Sequence, residues 1–280
     1  MLSWSNFVSQ LFNGLALGAL LALISSGLTI IYGTLGVLNL AHGAMFMLGG
    51  YAGYAAYQAT GSFLVAVIAG TLSLGVLGIA LERLVIRHFY ARPHEDQLLL
   101  TFGLSIVFVE VVRFIFSSQS LSVAPPPLFA GITSLGFTIY PTYRLAVVGI
   151  VAVALSVLFV VLYRTRLGMI VRAGIEDSVM VDSLGIDVYR VFMVVFGIGA
   201  MAAGFAGIIN APVVSLAPDM GEAILVQTFV VVVIGGLIAG EIISLTSMVN
   251  PGYAYVMLFA AMTLVLMLRP HGLLGTRGRE

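Results

Sequence analysis

Apolar residues run along this chain in long unbroken stretches, separated by short polar or Arg-bearing ones. A surface helix shows an apolar stripe; a stretch that is apolar all round is buried or crosses a membrane. About 20 apolar residues carry a helix through the hydrocarbon core. Candidate spans are Phe7–Ile31, Val37–Tyr57, Phe63–Leu81, Leu98–Phe116, Leu145–Leu162, Val191–Ile209 and Tyr253–Leu268. Ala223–Val249 is too long for one upright span and too short for two. Pro after Arg269 predicts the end of the last helix, and Asn250-Pro251-Gly252 predicts a turn. The expectation is an all-α polytopic bundle of eight to nine spans, one of them broken or re-entrant, forming a single domain over residues 1–280.

The arginines orient these spans. Arg83, Arg87 and Arg92 share one connection; Arg164, Arg166, Arg172 and Arg190 share another; Arg269, Arg277 and Arg279 share the tail. Basic residues favour the cytoplasmic side. The other side then receives Gln119–Tyr143, with Pro125-Pro126-Pro127, and Pro212–Glu222, with Asp219 and Glu222. Alternation closes if the N-terminus is periplasmic, the C-terminus cytoplasmic, and Ala223–Val249 goes in and comes back. Met1-Leu2-Ser3-Trp4-Ser5 puts no basic residue before the first apolar run. That predicts a permanent first helix rather than a cleaved signal peptide.

Composition agrees and excludes. Of 280 residues, 60% are hydrophobic and 9% charged, where a soluble domain keeps roughly a quarter charged. The 32 glycines suit close helix packing in lipid. A net charge of zero supplies no basis for a nucleic-acid partner. Without Cys there is no disulfide, thiolate metal site or Cys nucleophile. Every basic residue is Arg, so the Lys of a phosphate-binding P-loop is missing. If transport is driven by ATP, another subunit binds it.

Three regions carry candidate chemistry. Gly33–Tyr51 is apolar overall, yet holds Asn39, His42 and Gly33, Gly36, Gly43, Gly49 and Gly50. Polar groups at membrane depth usually face a cavity or a partner helix, and broken helices serve transporters. The plainer alternative has Asn39 and His42 bonding nearby backbone, with Gly49 and Gly53 as a packing seam. Arg164–Arg190 is the second region. Ala173, Glu176, Met180 and Leu184 fall on one side of a short helix, Gly185 is placed to cap its end, and Asp187 to cap the next span. Such a helix lies on a membrane or fits a groove on a soluble partner, or the stretch is an ordinary polar loop. Isolated charges form the third. Glu110 and Arg113, three apart, neutralise each other; Glu241 stands alone as a helix-end or pathway group. His88, His94 and His271 lack ligand-like spacing, so no metal site is expected.

Asn13-Gly14-Leu15-Ala16-Leu17-Gly18, Gly27-Leu28-Thr29 and Asn39-Leu40-Ala41-His42-Gly43 resemble the permeases of branched-chain amino acid ABC importers, of the LivH type. The resemblance continues through Arg172-Ala173, Glu176-Asp177, Leu184-Gly185-Ile186, Ala202-Ala203-Gly204, Phe229–Leu237, Leu268-Arg269-Pro270 and Gly272–Gly275. It implies a second homologous permease, two cytoplasmic ATPases that use ATP and Mg, a periplasmic substrate-binding protein and surrounding lipid. It makes Arg172, Ala173, Glu176, Asp177, Met180, Leu184 and Gly185 a coupling helix set in an ATPase cleft. It also places Asn39, His42, Gly43 and Met47 near the translocation path, and implies no catalytic residue. The family continues after its Gly-Gly-Leu with a glycine turn and a further apolar stretch, whereas here Leu237 runs straight into Ile238. A segment is therefore expected to be missing between them, where the span arithmetic also fails.

Other readings stay open. Urea or short amides would suit a path with few unpaired charges. An ion-coupled transporter or channel would need a carboxylate in a span, and Glu241 is the unpaired candidate. A membrane enzyme ranks third, because no G-x-S-x-G elbow is present.

Overall fold

The computed structural model describes residues 4–134, 136 and 139–269. The expected stop at Pro270, the tail residues His271, Arg277 and Arg279, and Gly272–Gly275 lie outside them. Helices dominate: α1 Trp4–Leu35, α2 His42–Thr60, α3 Phe63–Leu84, α4 His94–Phe116, α5 Thr142–Arg164, α6 Arg166–Glu176, α7 Ser178–Ser183, α8 Val188–Asn210, α9 Met220–Ile234, α10 Gly236–Val249 and α11 Ala254–Leu268. A small antiparallel hairpin joins α4 to α5: β1 Ile132–Ser134 pairs with β2 Ile139–Pro141, with Thr133 opposite Tyr140. The all-α expectation holds, with this short hairpin beside the helices.

Local chemistry sets the ends. Ser62 accepts a hydrogen bond from the Val65 N–H at the start of α3. Glu95 and Asp96 place negative charge in the first turn of α4, where the helix dipole favours it. Asp187 accepts from the Arg190 N–H at the start of α8, as its position predicted.

Two compact units emerge. One contains Ser26–Val123 and Ala154–Leu225. Within it α2, α3 and α8 pack on one another through glycines. A Cβ on Gly70 would stand 2.6 Å from the Gly49 carbonyl oxygen, and one on Gly204 2.8 Å from that of Gly70. Gly53 meets the Ile208 side chain. The expected seam at Gly49 and Gly53 is thus real, and it lets backbones approach where any side chain would hold them apart. A buried cluster of Met47, Tyr51, Val112, Ile208 and Leu216 fills one end. There Leu121 and Leu216 exchange two backbone hydrogen bonds of 2.9 and 2.8 Å.

The other unit contains Met1–Ser25, Ala124–Val153 and Val226–Glu280. The first half of α1 packs against α10. A Cβ on Gly18 would stand 2.7 Å from the Gly236 carbonyl oxygen, and the Ser244 hydroxyl donates to the Gln10 carbonyl at 2.6 Å. Asn13 Oδ1 accepts from the Tyr140 hydroxyl at 2.8 Å and from Arg144. These bonds tie the hairpin to α1.

Among the described residues, six helices are long and apolar enough to cross a membrane: α1, α3, α4, α5, α8 and α11 with the turn before it. The pair α9–α10 makes up to seven, against eight to nine expected. Two features account for the difference. The second span begins at His42 rather than Val37 and carries His42, Gln58 and several glycines and tyrosines. The ambiguous segment is two helices bent by 120° at Gly235. At 1.5 Å per residue each arm spans about 21–22 Å, short of the roughly 30 Å hydrocarbon core. Leu237 and Ile238 are consecutive within α10, which runs unbroken from Gly236 to Val249.

Candidate functional site

Asn39 and His42 sit where the first long helix gives way. The chain leaves α1 at Leu35, passes through Gly36 at φ +67°, and re-enters a helix at His42. The stretch between is not helical, so its backbone polar groups need partners in place of the helical ladder. Asn39 Oδ1 accepts from the Ala41 N–H at 3.0 Å, closing a local turn ahead of α2. Thr101 of α4 supplies two more contacts. Its Oγ1 accepts from the Leu40 N–H at 3.2 Å and lies 3.2 Å from the Leu38 carbonyl oxygen. Irregular backbone at membrane depth is tolerated where protein buries and satisfies it.

Asn39, His42, Gly43 and Met47 are all buried in this unit. Met47 belongs to the apolar cluster with Tyr51 and Leu216. Gly43 packs directly on the Gly221 backbone. His42 Cε1 would meet a Cβ on Gly27 at 3.2 Å, where α1 crosses α8 at Gly199. The structure thus gathers the four residues at one helix break, inside the packed helices. For Asn39 the local backbone bond anticipated as the plainer alternative is present.

The segment 164–190 is built outward from its inner face. Thr165 caps α6 by accepting from the Gly168 N–H at 3.3 Å. Gly168, Val171 and Gly174, spaced by three, are buried, and Val181 continues that face. Ala173, Glu176, Met180 and Leu184 are all exposed, as their spacing implied. They do not share one helix, however. Asp177 takes an extended conformation and its carboxylate accepts from the Met180 N–H at 2.9 Å, which ends α6 and starts α7. An Asp side chain that satisfies a new helix start competes with continuation of the old one. Gly185, at φ +81°, follows the last turn of α7, and the Ile186 N–H reaches back to the Val181 carbonyl. That is the left-handed glycine stop expected there.

Arg172 turns back on its own chain. Its guanidinium donates to the Leu162 carbonyl and lies 5.3 Å from the centre of the Tyr163 ring. It therefore fixes α6 against the end of α5. The outward surface keeps large apolar side chains: Met169 is 63% exposed, Ile175 50%, Met180 64% and Leu184 73%.

Glu110 and Arg113 pair at 2.6 Å, half exposed. Glu241 leans its carboxylate on Gly14, where a Cβ would stand 2.6 Å from Oε2; that oxygen is buried without a hydrogen-bond partner. A cluster overlooked in the sequence lies at the end of α3. The Glu82 side chain is fully buried, 3.7 Å from Arg87 Nε, and accepts from the Tyr90 hydroxyl at 2.8 Å. A charged residue at the edge of an apolar span was its only signal.

The family described as "Branched-chain amino acid transport system / permease component" matches residues 10–270. The chain is 31% identical to the high-affinity branched-chain amino acid transport system permease protein LivH of Escherichia coli K12, over 96% of each chain. It is 26% identical to BraD of Pseudomonas aeruginosa, again over 96% of each. With the probable branched-chain amino acid transport permease LivH of Methanocaldococcus jannaschii it shares 25% identity over 80% of this chain and 73% of that one. No solved structure matches. The alignment to the Escherichia coli protein runs over 296 positions, more than the 280 residues of this chain, so that relative carries stretches absent here. The apolar helices and these relatives together place the chain, a multi-pass membrane protein, in the family of LivH-type branched-chain amino acid transport permeases.

Proposed function

We propose that this chain is the membrane-spanning subunit of an ATP-driven importer of branched-chain or related amino acids in the bacterial inner membrane. It works with a second, homologous permease, two ATP-binding subunits that use ATP and Mg, and a periplasmic binding protein. The N-terminal end faces the periplasm and the Arg-rich connections face the cytoplasm. The observation that carries this is the family match, which covers residues 10–270. The relatives' names support an amino acid over urea or an amide.

The outward face of 166–184 supports the division of labour. Exposed apolar side chains at Met169, Ile175, Met180 and Leu184 alternate along the segment with exposed Arg166, Arg172, Glu176, Asp177 and Asp182. Such a face suits the cleft of a soluble partner. Arg172, Ala173, Glu176, Asp177, Met180, Leu184 and Gly185 form this coupling element. Arg172 braces it from behind, and Asp177 and Gly185 shape its two helical pieces. Asn39, His42, Gly43 and Met47 border the path, which opens when the packing around the helix break loosens. Transport proceeds by alternating access, and ATP shifts the balance through its different affinity for the two states. The segment absent relative to the family is a deletion at Leu237–Ile238.

Purification of the tagged chain in mild detergent, followed by reconstitution, tests this. The expected result is recovery of a second permease and two P-loop ATPases, and ATP-dependent uptake of labelled leucine. Recovery of the chain alone, transporting without ATP, would overturn it in favour of a secondary transporter. ATP-dependent uptake of urea but not leucine would overturn the cargo.

A further inference from the structure

The buried cluster at the end of α3 joins the coupling segment to the helix break by an unbroken series of contacts, all within one compact unit. It begins at the first turn of α8, just past the Asp187 cap. There Tyr189 lies 5.0 Å beneath the Arg87 guanidinium. Its ring is nearly parallel to that of Tyr90, at 6.5 Å and 14°. Phe192, one turn on, meets Tyr90 edge-on at 5.7 Å. These two rings clasp the connection from α3 to α4.

The same connection is gripped from its other side. Gln97, buried in the first turns of α4, donates from Nε2 to the Phe89 carbonyl at 3.0 Å and the Arg92 carbonyl at 3.1 Å. Thr101 follows four residues later on the same face of α4. Its hydroxyl accepts from the Leu40 N–H in the break ahead of His42 and lies 3.2 Å from the Leu38 carbonyl there, with the Gln97 carbonyl of its own helix at 3.0 Å. A shift of the α8 start therefore meets Tyr90 and Arg87, then Gln97, then Thr101, then the break.

The clasp is only half satisfied. Glu82 Oε2 and Arg87 Nε are buried without a hydrogen-bond partner. At 3.7 Å the Glu82–Arg87 pair is an ion pair and not a hydrogen bond. Burial, and next the bond to Glu82, hold the Tyr90 phenol above its ordinary range, so it stays a donor. Buried charged networks with open valences are costly to hold in one arrangement. They are also places where a second arrangement with better pairing competes.

We propose that Tyr189, Arg87, Tyr90, Glu82, Gln97 and Thr101 form the route by which movement of the 166–190 segment reaches the helix break at 36–41. Tyr189 and Gln97 are positioning residues for transport; neither needs to touch cargo. This rests on the importer reading given above. Coupling of this kind is established by coupling energies and not by adjacency alone.

The test uses the whole reconstituted complex in proteoliposomes, with ATP hydrolysis and leucine uptake measured together. Tyr189→Ala and Gln97→Leu are each expected to lower uptake per ATP hydrolysed about fivefold or more, the scale of a typical coupling energy. The double variant is expected to be no worse than the worse single one, because both break one route. Tyr189→Phe keeps the ring and is expected to behave as the parent. Unchanged uptake per ATP in both single variants, or losses that multiply in the double one, would overturn the route. Should a variant fail to assemble, the natural absence of Cys supplies another approach. Arg87→Cys with Tyr189→Cys, joined by a short reducible bifunctional thiol reagent, is expected to stop the residual uptake that the unjoined double variant retains while ATP hydrolysis continues, and to return to that residual level on reduction. Undiminished uptake in the joined state overturns the proposal. ATP-independent uptake by the unmodified complex would instead overturn the importer reading.

Discussion

Thr101 is a small side chain doing what a stretch of helix would otherwise do. Leu38 and Leu40 lie outside any helix, and its one hydroxyl serves the N–H of Leu40 and lies within reach of the Leu38 carbonyl. Removing that hydroxyl without changing shape isolates its contribution. Thr101→Val is expected to destabilise by about 1–3 kcal/mol, the cost of orphaning buried backbone groups. Thr101→Ser is expected to recover most of that. Thermal unfolding in detergent would measure both, and an unfolding midpoint for Thr101→Val equal to the parent's would sink the assignment. Asn39 and His42 were visible in the sequence because polar residues are conspicuous in an apolar run. Thr101 was not, since Thr is ordinary in a membrane helix and its partners lie more than 60 positions away. Glu82 and Gln97 escaped for another reason: their partners lie five to eight positions away, but they meet only because the α3–α4 connection folds back, which no apolar period announces.

At the scale of elements, the turn between α9 and α10 rests on one residue. Gly235 has φ +89° and ψ 142°, a region that side-chain-bearing residues avoid. Gly235→Ala is therefore expected to cost about 1–3 kcal/mol and loosen the 120° bend. Gly149, inside α5 with open space around it, is the control. Gly149→Ala is expected to leave stability equal or raise it by up to about 1 kcal/mol, since Ala favours helix. Equal midpoints for the Gly235 and Gly149 variants would remove the argument for a strained turn. The sequence located this segment through its awkward length, and most helices fell within a few residues of their apolar runs. It did not locate the break at Asp177. A pattern of exposed positions every three or four residues continues across α6 and α7, and only the carboxylate's bond to Met180 divides them. Nor did it locate the hairpin, whose strands are three residues long.

At the scale of the whole molecule, that bend decides which side the chain's last connection faces. If the N-terminal end is periplasmic, as proposed, and α2 crosses although it is less apolar than the six longer spans, alternation would place 85–93 and 165–187 inside and 117–141 outside. If α9 and α10 were one crossing, Asn250–Tyr253 would lie inside and Arg269 outside, against the preference of basic residues for the cytoplasm. If the pair turns back, Asn250–Tyr253 lies outside and Arg269 inside. The short arms and the 120° bend favour the second arrangement. The absence of Cys makes it measurable. Gly252→Cys, at an exposed position, is expected to react with a membrane-impermeant thiol reagent on intact spheroplasts. Leu128→Cys should react likewise, and Met180→Cys only after the membrane is opened. Protection of Gly252→Cys until lysis, with both references behaving as stated, would make α9–α10 a single bent crossing. The charge rule would then fail at Arg269, and the deletion proposed at Leu237–Ile238 would account for a changed parity of the fold.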